Sequence, residues 1–244
     1  MDISIDNSKT KIVILADTSG SMASMGSTPR NKINDFIKEQ TGDVTVDMWV
    51  FSDSCNQIYK NIKSNEFNLN SHDLQTNGST SLYQSACYVI DVTGDDLAKM
   101  IEYRPGHIIF VIFTDGEENA STGIYQGENG RLLLKQKIEH QQEVYKWTFF
   151  FLGANIDAIH TGESIGISRQ TCINYSADIK GCENVFRSAS NAVTRLRSND
   201  KHVAFTDEER SSSVMPIEYN IYSVSNFVTR ASSHSVMPIE NMRI

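Results

Sequence analysis

"KIVILADTSGSMASMG", residues 11–26, joins an unbroken apolar run to a polar turn. A run without polar positions is typical of a parallel strand that is covered on both faces of a sheet. The run ends at Asp17, and Ser19 and Ser21 follow it at alternate positions. Gly20, between the serines, permits a sharp turn, so both hydroxyls can point the same way. The stretch predicts a central strand that carries one carboxylate and two hydroxyls to the same end of a sheet.

Further segments of the chain have strand patterns. Residues 107–113 and 147–152 are apolar at nearly every position, like the first run, and residues 171–175 resemble a last short strand. Residues 44–62 alternate partially around "SDS", which predicts a hairpin whose second strand, near 54–60, is an antiparallel edge. The sheet is therefore expected to be mostly parallel, with one antiparallel edge strand.

Stretches with helical spacing separate these strands. Two helices are indicated by apolar residues at i, i+3 and i+4, and a closing helix is expected over residues 178–197. The predicted core residues are Ile33, Phe36 and Ile37; Leu82, Ala86, Val89 and Ile90; and Val185, Phe186, Ala189 and Val193. The alternation predicts an α/β fold: a doubly wound, mostly parallel, Rossmann-like sheet with helices on both faces.

The composition is that of a globular chain with an acidic surface. Of its 244 residues, 39% are apolar, and the formal net charge is −8. This charge disfavours nucleic acid or an anionic membrane as a partner, because phosphate binding relies on clustered Lys and Arg. The first residues lack the apolar core of a secretory signal, and no apolar run is long enough to span a bilayer. We therefore expect the protein to act inside the cell or within an assembled particle.

Three polar loops are predicted at one end of the sheet. In an open parallel sheet, ligands bind outside the carboxyl ends of the strands, near the point where the strand order reverses. The loop residues are Asp17, Ser19 and Ser21 after the first strand, Asp115 in "FTDGEEN" after another strand, and Thr80 in "NGSTSLYQSA" at a helix start. These loops are expected to converge.

The same residues resemble a known motif. "DTSGS" resembles the DxSxS signature of von Willebrand factor type A (vWA) domains, with Asp17, Ser19 and Ser21 at its three ligand positions. Thr80 in "GST" and Asp115 in "TDG" are similar to the two later positions of that family's metal ion-dependent adhesion site (MIDAS). Three motifs in the expected order are far more specific than DxSxS alone. The resemblance implies a stand-alone vWA domain of intracellular, phage or viral type with a complete MIDAS.

The resemblance also implies a site for one divalent cation. In that family the hydroxyls, here those of Ser19, Ser21 and Thr80, contact Mg²⁺ directly, while Asp17 and Asp115 orient its waters and supply charge. Hydroxyl and carboxylate oxygens suit a hard cation, with Mn²⁺ or Ca²⁺ as alternatives to Mg²⁺. The shell leaves one position open, which an Asp or Glu of a partner protein can fill. The implied function is Mg²⁺-dependent protein–protein recognition.

The predicted organisation is an N-terminal arm over residues 1–8, a vWA domain over 9–198 and an extended tail over 199–244. The tail contains the hexapeptide "SVMPIE" twice, at 213–218 and at 235–240. The Pro in each copy disfavours helix and favours an extended or edge-strand backbone.

Each "SVMPIE" copy ends in a carboxylate, Glu218 or Glu240. Two interpretations stay open: a docking peptide that is used twice, or a local duplication in a solvated tail. Docking of either glutamate onto the metal site or the sheet edge of a neighbouring copy would produce self-association. The alternative function is therefore a structural component of an assembly, for example of a viral or phage particle.

Simpler interpretations exist for several polar residues. Asp17 and the serines after it could cap a helix N-terminus, as Asp and Ser often do. Asp53 and Asp73 are expected to be solvated loop residues near the site. Glu117 and Glu118 would tune the charge of its rim or favour the N-terminus of a helix.

Enzyme classes are disfavoured. An aspartyl-phosphate phosphatase needs a second acidic residue two positions after its nucleophile, where this chain has Ser19, so it is the least favoured alternative. A pepsin-like protease needs a second copy of the Asp-Thr loop. The chain contains neither GxGxxG nor GxxxxGK[ST], and its four cysteines and six histidines show no ligand spacing. We expect a binding module without catalytic residues.

Overall fold

Six strands form one sheet in the computed structural model, which describes residues 4–198 and 203–214. The strands are β1 (Ser4–Asp17), β2 (Asp43–Phe51), β3 (Cys55–Lys63), β4 (Tyr103–Thr114), β5 (Thr148–Ala154) and β6 (Cys172–Tyr175). Their order across the sheet is β3-β2-β1-β4-β5-β6. β3 runs antiparallel to β2, and the other neighbouring pairs are parallel. The predicted mostly parallel sheet with an antiparallel edge near residues 54–60 is confirmed.

Helices cover both faces of the sheet. They are α1 (Thr28–Lys38), α2 (Leu82–Ala98), α3 (Gly127–Tyr145), α4 (Ala158–Ser164), α5 (Ile179–Arg197) and α6 (Asp207–Ser213). One core lies between the sheet and the helices α1 and α5, and the other lies beneath α2 and α3. All the core residues predicted from helical spacing are buried. The doubly wound architecture is therefore confirmed.

β1 is the central strand because its apolar run can be buried on both sides. Ile12 and Ile14 belong to the core beneath α1 and α5, whereas Val13 and Leu15 belong to the core beneath α2 and α3. All four side chains are 0% exposed. The parallel strands β2 and β4 on either side of β1 pair with its backbone N–H and C=O groups. The carboxyl end of β1 thus lies in the middle of the sheet.

The predicted N-terminal arm is wrong for its described residues, because β1 already begins at Ser4. Ser4 pairs with Tyr103 of β4, and the register shifts at a bulge between Asp6 and Thr10. Gly106 lies opposite this bulge, where a Cβ would come within 2.6 Å of the Asn7 Cα. Exposed polar residues concealed the strand from hydropathy, but its backbone still pairs with β4.

The predicted extended tail is wrong for α6, which packs on α5 and β6. Thr206 and Glu209 form a capping box: the Thr206 N–H donates to Glu209 Oε2 at 2.9 Å, and Thr206 Oγ1 accepts from the Glu209 N–H at 3.1 Å. Arg195 of α5 pairs with the Glu209 carboxylate at 2.9 Å. The buried ring of Phe205 contacts the ring of Phe150. The folded domain therefore extends to Val214.

The "SVMPIE" copies fall almost entirely on residues 215–244, outside the described residues. The predicted docking of Glu218 and Glu240 concerns that part of the chain.

Among the helices of the described residues, none combines the length and the apolar character that crossing a membrane requires.

One ion pair is buried within the sheet. Lys11 of β1 and Asp47 of β2 are joined by a 2.8 Å contact from Nζ to Oδ2, and their side chains are 3% and 2% exposed. The other oxygen of Asp47 accepts the Asn61 N–H at 2.6 Å. Asn61 has a left-handed backbone with φ 52° at a bulged part of the hairpin. The pair thus joins the central strand to the edge hairpin.

Candidate functional site

The five residues predicted as a metal site lie at the switch point of the sheet. Asp17 is the last residue of β1, and Asp115 directly follows the last residue of β4. β1 and β4 are neighbours, and the strand order reverses between them. Thr80 precedes α2 by two positions. This end of an open parallel sheet is where ligands bind in doubly wound folds.

The carboxylate of Asp17 holds the first loop to β4. Its Oδ1 accepts the Ser19 N–H at 2.7 Å, and its Oδ2 accepts the Thr114 hydroxyl at 2.6 Å. A short 3-10 helix follows over Gly20–Met25, and the Ser19 side chain makes no cap hydrogen bond to it. The helix-capping alternative therefore does not describe Ser19, whose hydroxyl faces the other site residues.

Side-chain oxygens of the three loops lie near one another. Ser19 Oγ lies 3.1 Å from Ser21 Oγ, and Ser21 Oγ donates to Asp115 Oδ1 at 2.6 Å. Thr80 Oγ1 and Ser21 Oγ both lie within 4 Å of the point where a Cβ would stand on Gly116, at 3.4 and 3.8 Å. The structure thus brings all five predicted residues together, and Gly116 leaves room between them.

The two carboxylates of the site are buried, and one oxygen of Asp115 lacks a partner among the described residues. Asp17 and Asp115 are each 2% exposed. Burial raises the pKa of both carboxyls, and the charge of Asp115 raises the pKa of Asp17 further. Asp115 Oδ2 is buried without a hydrogen-bond partner among the described residues. A buried acceptor of this kind is costly unless a cation or a bound water satisfies it.

The donor set consists of two carboxylates and three hydroxyls. Within the described ranges, no three His, Cys, Asp or Glu side chains are grouped so that they could hold a metal ion. Any cation at the switch point would therefore depend on hydroxyl oxygens as well as on carboxylates. Oxygen-only sets suit Mg²⁺, Ca²⁺ and Mn²⁺ rather than Zn²⁺.

Backbone hydrogen bonds fasten the first loop to the loop before α2. The Gly20 N–H donates to the Gly78 carbonyl at 3.0 Å, and the Asn77 N–H donates to the Thr18 carbonyl at 2.8 Å. Gly78 has φ +77°, and a Cβ there would collide with the carboxylate of Asp53. A glycine at this position allows the two loops to approach closely.

Asn119 holds Thr80 in place and Glu118 holds the start of α2 just after it, although motif spacing marks neither as a site residue. Asn119 Oδ1 accepts the Thr80 N–H at 2.9 Å, and the Asn119 N–H donates to the Thr80 carbonyl at 3.0 Å. Glu118 Oε2 accepts the Tyr83 N–H in the first turn of α2 at 2.8 Å. Glu118 Oε1 accepts the Ser121 N–H of its own loop at 2.7 Å. Glu118 is therefore a helix-start acid, although for α2 rather than for the helix that follows it in sequence.

Glu118→Gln should destabilise the chain by about 1–2 kcal/mol, because an amide nitrogen replaces one oxygen that accepts two hydrogen bonds. Both oxygens of Glu118 accept bonds, from Ala120 and Ser121 on one side and from Tyr83 and Ser121 on the other. Urea unfolding measures the change. Glu117→Gln is the matched control because Glu117 is exposed. Equal effects of the two substitutions would contradict the positioning role.

The other acidic residues near the site lie at its margin. Asp53 is exposed and accepts the Ser79 N–H at 2.9 Å, and Asp73 is half-buried and accepts the Asn70 N–H at 2.7 Å. Glu117 is exposed. None of the three is hydrogen-bonded to the five-residue group in the described structure.

No protein-family model and no curated protein sequence matches this chain. Several solved structures are similar to it in fold. The PilB minor pilin from Streptococcus sanguinis has a TM-score of 0.55 at 14% identity, over 77% of this chain and 62% of that one. The ArnB paralog VWA2 from Sulfolobus acidocaldarius has a TM-score of 0.51 at 14% identity, over 76% and 45%.

A third similar structure is proximal thread matrix protein 1 from the mussel byssus, with a zinc-occupied MIDAS motif. Its TM-score is 0.50 at 12% identity, over 77% of this chain and 46% of that one. This chain thus spans less than two thirds of the length of each of the three proteins. Together with the strand order, the similarities show that the chain has the α/β fold of a vWA domain.

Proposed function

We propose that this chain is a metal-dependent protein-recognition module. Ser19, Ser21 and Thr80 would hold Mg²⁺, with Asp17 and Asp115 supplying charge. The observation that carries the proposal is that Asp115 Oδ2 is buried without a hydrogen-bond partner in the described part of the chain, while Asp115 Oδ1 accepts the Ser21 hydroxyl, which lies next to the Ser19 hydroxyl. An uncompensated buried carboxylate and neutral oxygen ligands fit a hard divalent cation. A MIDAS motif in a similarly folded protein is occupied by zinc, which further supports a divalent metal.

The partner would present an Asp or Glu side chain. Three hydroxyl ligands carry no formal charge, so a cation that they hold keeps much of its attraction for an anion. Ser21 and the neighbouring Gly116 are not fully buried, so the oxygen group is accessible from outside. A carboxylate of a partner protein can complete the shell from that side.

The proposed site does not favour hydrolysis. A phosphatase of the aspartyl-phosphate class would need an acidic residue where Ser19 lies, and both oxygens of Asp17 already accept hydrogen bonds within the protein. We therefore propose a binding module and not an enzyme.

Water-proton relaxation with Mn²⁺ in place of Mg²⁺ tests the proposed function. Mn²⁺ held by the chain should retain exchangeable water and raise the relaxation rate above that of free Mn²⁺. Acetate, the simplest carboxylate, should displace bound water and lower the enhancement. Ser21→Ala should remove both effects, because Ser21 Oγ is central to the oxygen group. An enhancement that survives Ser21→Ala would contradict the proposed ligand set.

The duplicated hexapeptide supports a second candidate function, assembly of copies of the chain. Glu218 or Glu240 would supply the carboxylate that another copy's metal binds. We expect the full chain to self-associate in Mg²⁺ and to become monomeric in a chelator. The double variant Glu218→Gln/Glu240→Gln should stay monomeric in Mg²⁺. Light scattering after size exclusion measures the mass, and one mass under all conditions would contradict this role of the tail.

A further inference from the structure

A cavity of about 340 Å³ opens beside the proposed metal site. The residues that line it include Asp53, Cys55, Ser81, Ser85, Tyr88 and Tyr125. Ser81 directly follows the proposed ligand Thr80, so neighbouring residues of one short segment belong to the cavity and to the oxygen group. None of the five proposed metal-site residues lines this cavity.

Asp53 is the charged residue of the cavity. It is exposed, and its Oδ1 is held by the Ser79 N–H at 2.9 Å. Within residues 4–198 and 203–214, no salt bridge includes Asp53. Burial raises the pKa of the Cys55 thiol to about 11, so the thiol is neutral at pH 7. The cavity therefore carries a net negative charge at a fixed position.

Two aromatic residues, Tyr88 and Tyr125, also line the cavity. Tyr88 is 50% exposed, and its ring packs edge-on against Trp49 with centroids 5.7 Å apart. Tyr125 is half-buried against the core beneath α2 and α3. Exposed aromatic faces attract Lys and Arg head groups, and their apolar area suits the methylene stems. A carboxylate and two tyrosine rings around one cavity are complementary to a basic side chain.

An anion fits this cavity poorly, although the N-terminus of α2 is close. The Tyr83 N–H is already bonded to Glu118 Oε2 at 2.8 Å, and the Gln84 N–H is bonded to Ser121 Oγ at 3.1 Å. Glu118 also offsets the positive end of the helix dipole. The first turn of α2 thus offers an anion few free donors, and the negative charge of Asp53 would repel it.

We propose that this cavity receives a Lys or Arg side chain of the partner. The part that concerns the partner rests on the proposed function, because the same partner would place its carboxylate on the metal. Recognition would then need two features of opposite charge, an acidic residue at the switch point and a basic residue at the Asp53 cavity. A protein that offers the acid alone would bind more weakly, which gives the site its specificity.

The cavity can be tested without metal. The full chain in a chelator is titrated with Nα-acetyl-arginine methylamide, and ¹⁵N–¹H spectra are recorded. We expect saturable shifts at the amides of Asp53–Cys55, Ser81–Tyr88 and Tyr125. The norleucine analogue, which is apolar and uncharged, should leave them unchanged. Asp53→Asn should weaken arginine binding about tenfold, because it removes the charge and keeps the oxygen that holds Ser79.

Asp95→Asn is the matched control, since Asp95 is an exposed carboxylate on α2 outside the cavity. It should leave the arginine shifts unchanged. Equal shifts with the norleucine analogue, or arginine binding that is insensitive to Asp53→Asn, would overturn the proposal.

Peptides that carry one Arg and one Glu, joined by glycine linkers of increasing length, separate this proposal from the proposed function. Mg²⁺ should tighten binding of the peptides whose linker spans both sites. Arginine binding that Mg²⁺ never tightens would keep the cavity proposal and contradict the carboxylate-on-metal proposal. If Mg²⁺ tightens binding equally for peptides with Arg and for peptides with norleucine, the carboxylate-on-metal proposal is kept and the cavity proposal is contradicted.

Discussion

Mg²⁺ is expected to raise the melting temperature of the wild-type chain, and Asp17→Ala is expected to abolish that rise. A ligand that binds only the folded state stabilises it by about 2.7 kcal/mol at a hundredfold excess over Kd. For a domain of this size, that corresponds to roughly 5–10 °C. Asp17 is buried and joins Ser19 to Thr114, so its removal takes away both charge and loop geometry. Calorimetry with and without Mg²⁺ measures the effect.

Two further variants make this result specific. Ser21→Ala removes one exposed hydroxyl and should also abolish the rise, which keeps the test informative if Asp17→Ala unfolds the chain. Glu117→Gln removes a negative charge two positions from Asp115, but the residue is exposed. It should retain the full rise. If Asp17→Ala and Ser21→Ala both respond to Mg²⁺ as the wild type does, the metal site is not formed by these loops.

Asp47→Ala is expected to lower the free energy of unfolding by about 3–5 kcal/mol. The substitution leaves the Lys11 ammonium, which is 3% exposed, without its carboxylate. Removing one partner of a buried ion pair lowers stability by about 3–5 kcal/mol, because the other partner stays in the core as an uncompensated charge. It also leaves the Asn61 N–H without its acceptor. Urea unfolding monitored by circular dichroism gives the change.

Asp43 provides the comparison for Asp47. Asp43 is the first residue of β2, contacts Lys9 and Lys63, and has a side chain that is 32% exposed. Surface pairs contribute about 0–1 kcal/mol, so Asp43→Ala should have a small effect. The double variant Lys11→Met/Asp47→Leu should recover much of the stability that Asp47→Ala loses. Similar losses for Asp43→Ala and Asp47→Ala would show that Lys11 reaches water when its partner is removed.

The strands and the main site residues were predictable from local patterns. An unbroken apolar run marks β1, because a strand that is covered on both faces cannot alternate. Asp17, Ser19 and Asp115 follow such runs, and strand ends are where an open sheet binds ligands. The beginning of β1 at Ser4 was not predictable in this way, since most of its first residues are polar and form no apolar run. α6 had a signal in the Thr206–Glu209 capping box, but few apolar residues accompany it.

The sequence by itself determined the order of the elements and which polar residues stand at strand ends, because both follow from short-range periodicity. The resemblance to the MIDAS motif predicted that the five site residues meet, whereas only the tertiary structure decided the contacts that lie outside that motif. Glu118 reaches the first turn of α2, and Lys11 reaches Asp47, across separations for which no spacing rule exists. Asp53 and Tyr88 likewise line one cavity only because the turn between β2 and β3 lies near α2. Contacts between distant segments depend on the register of the sheet and the docking of helices, which the global packing selects.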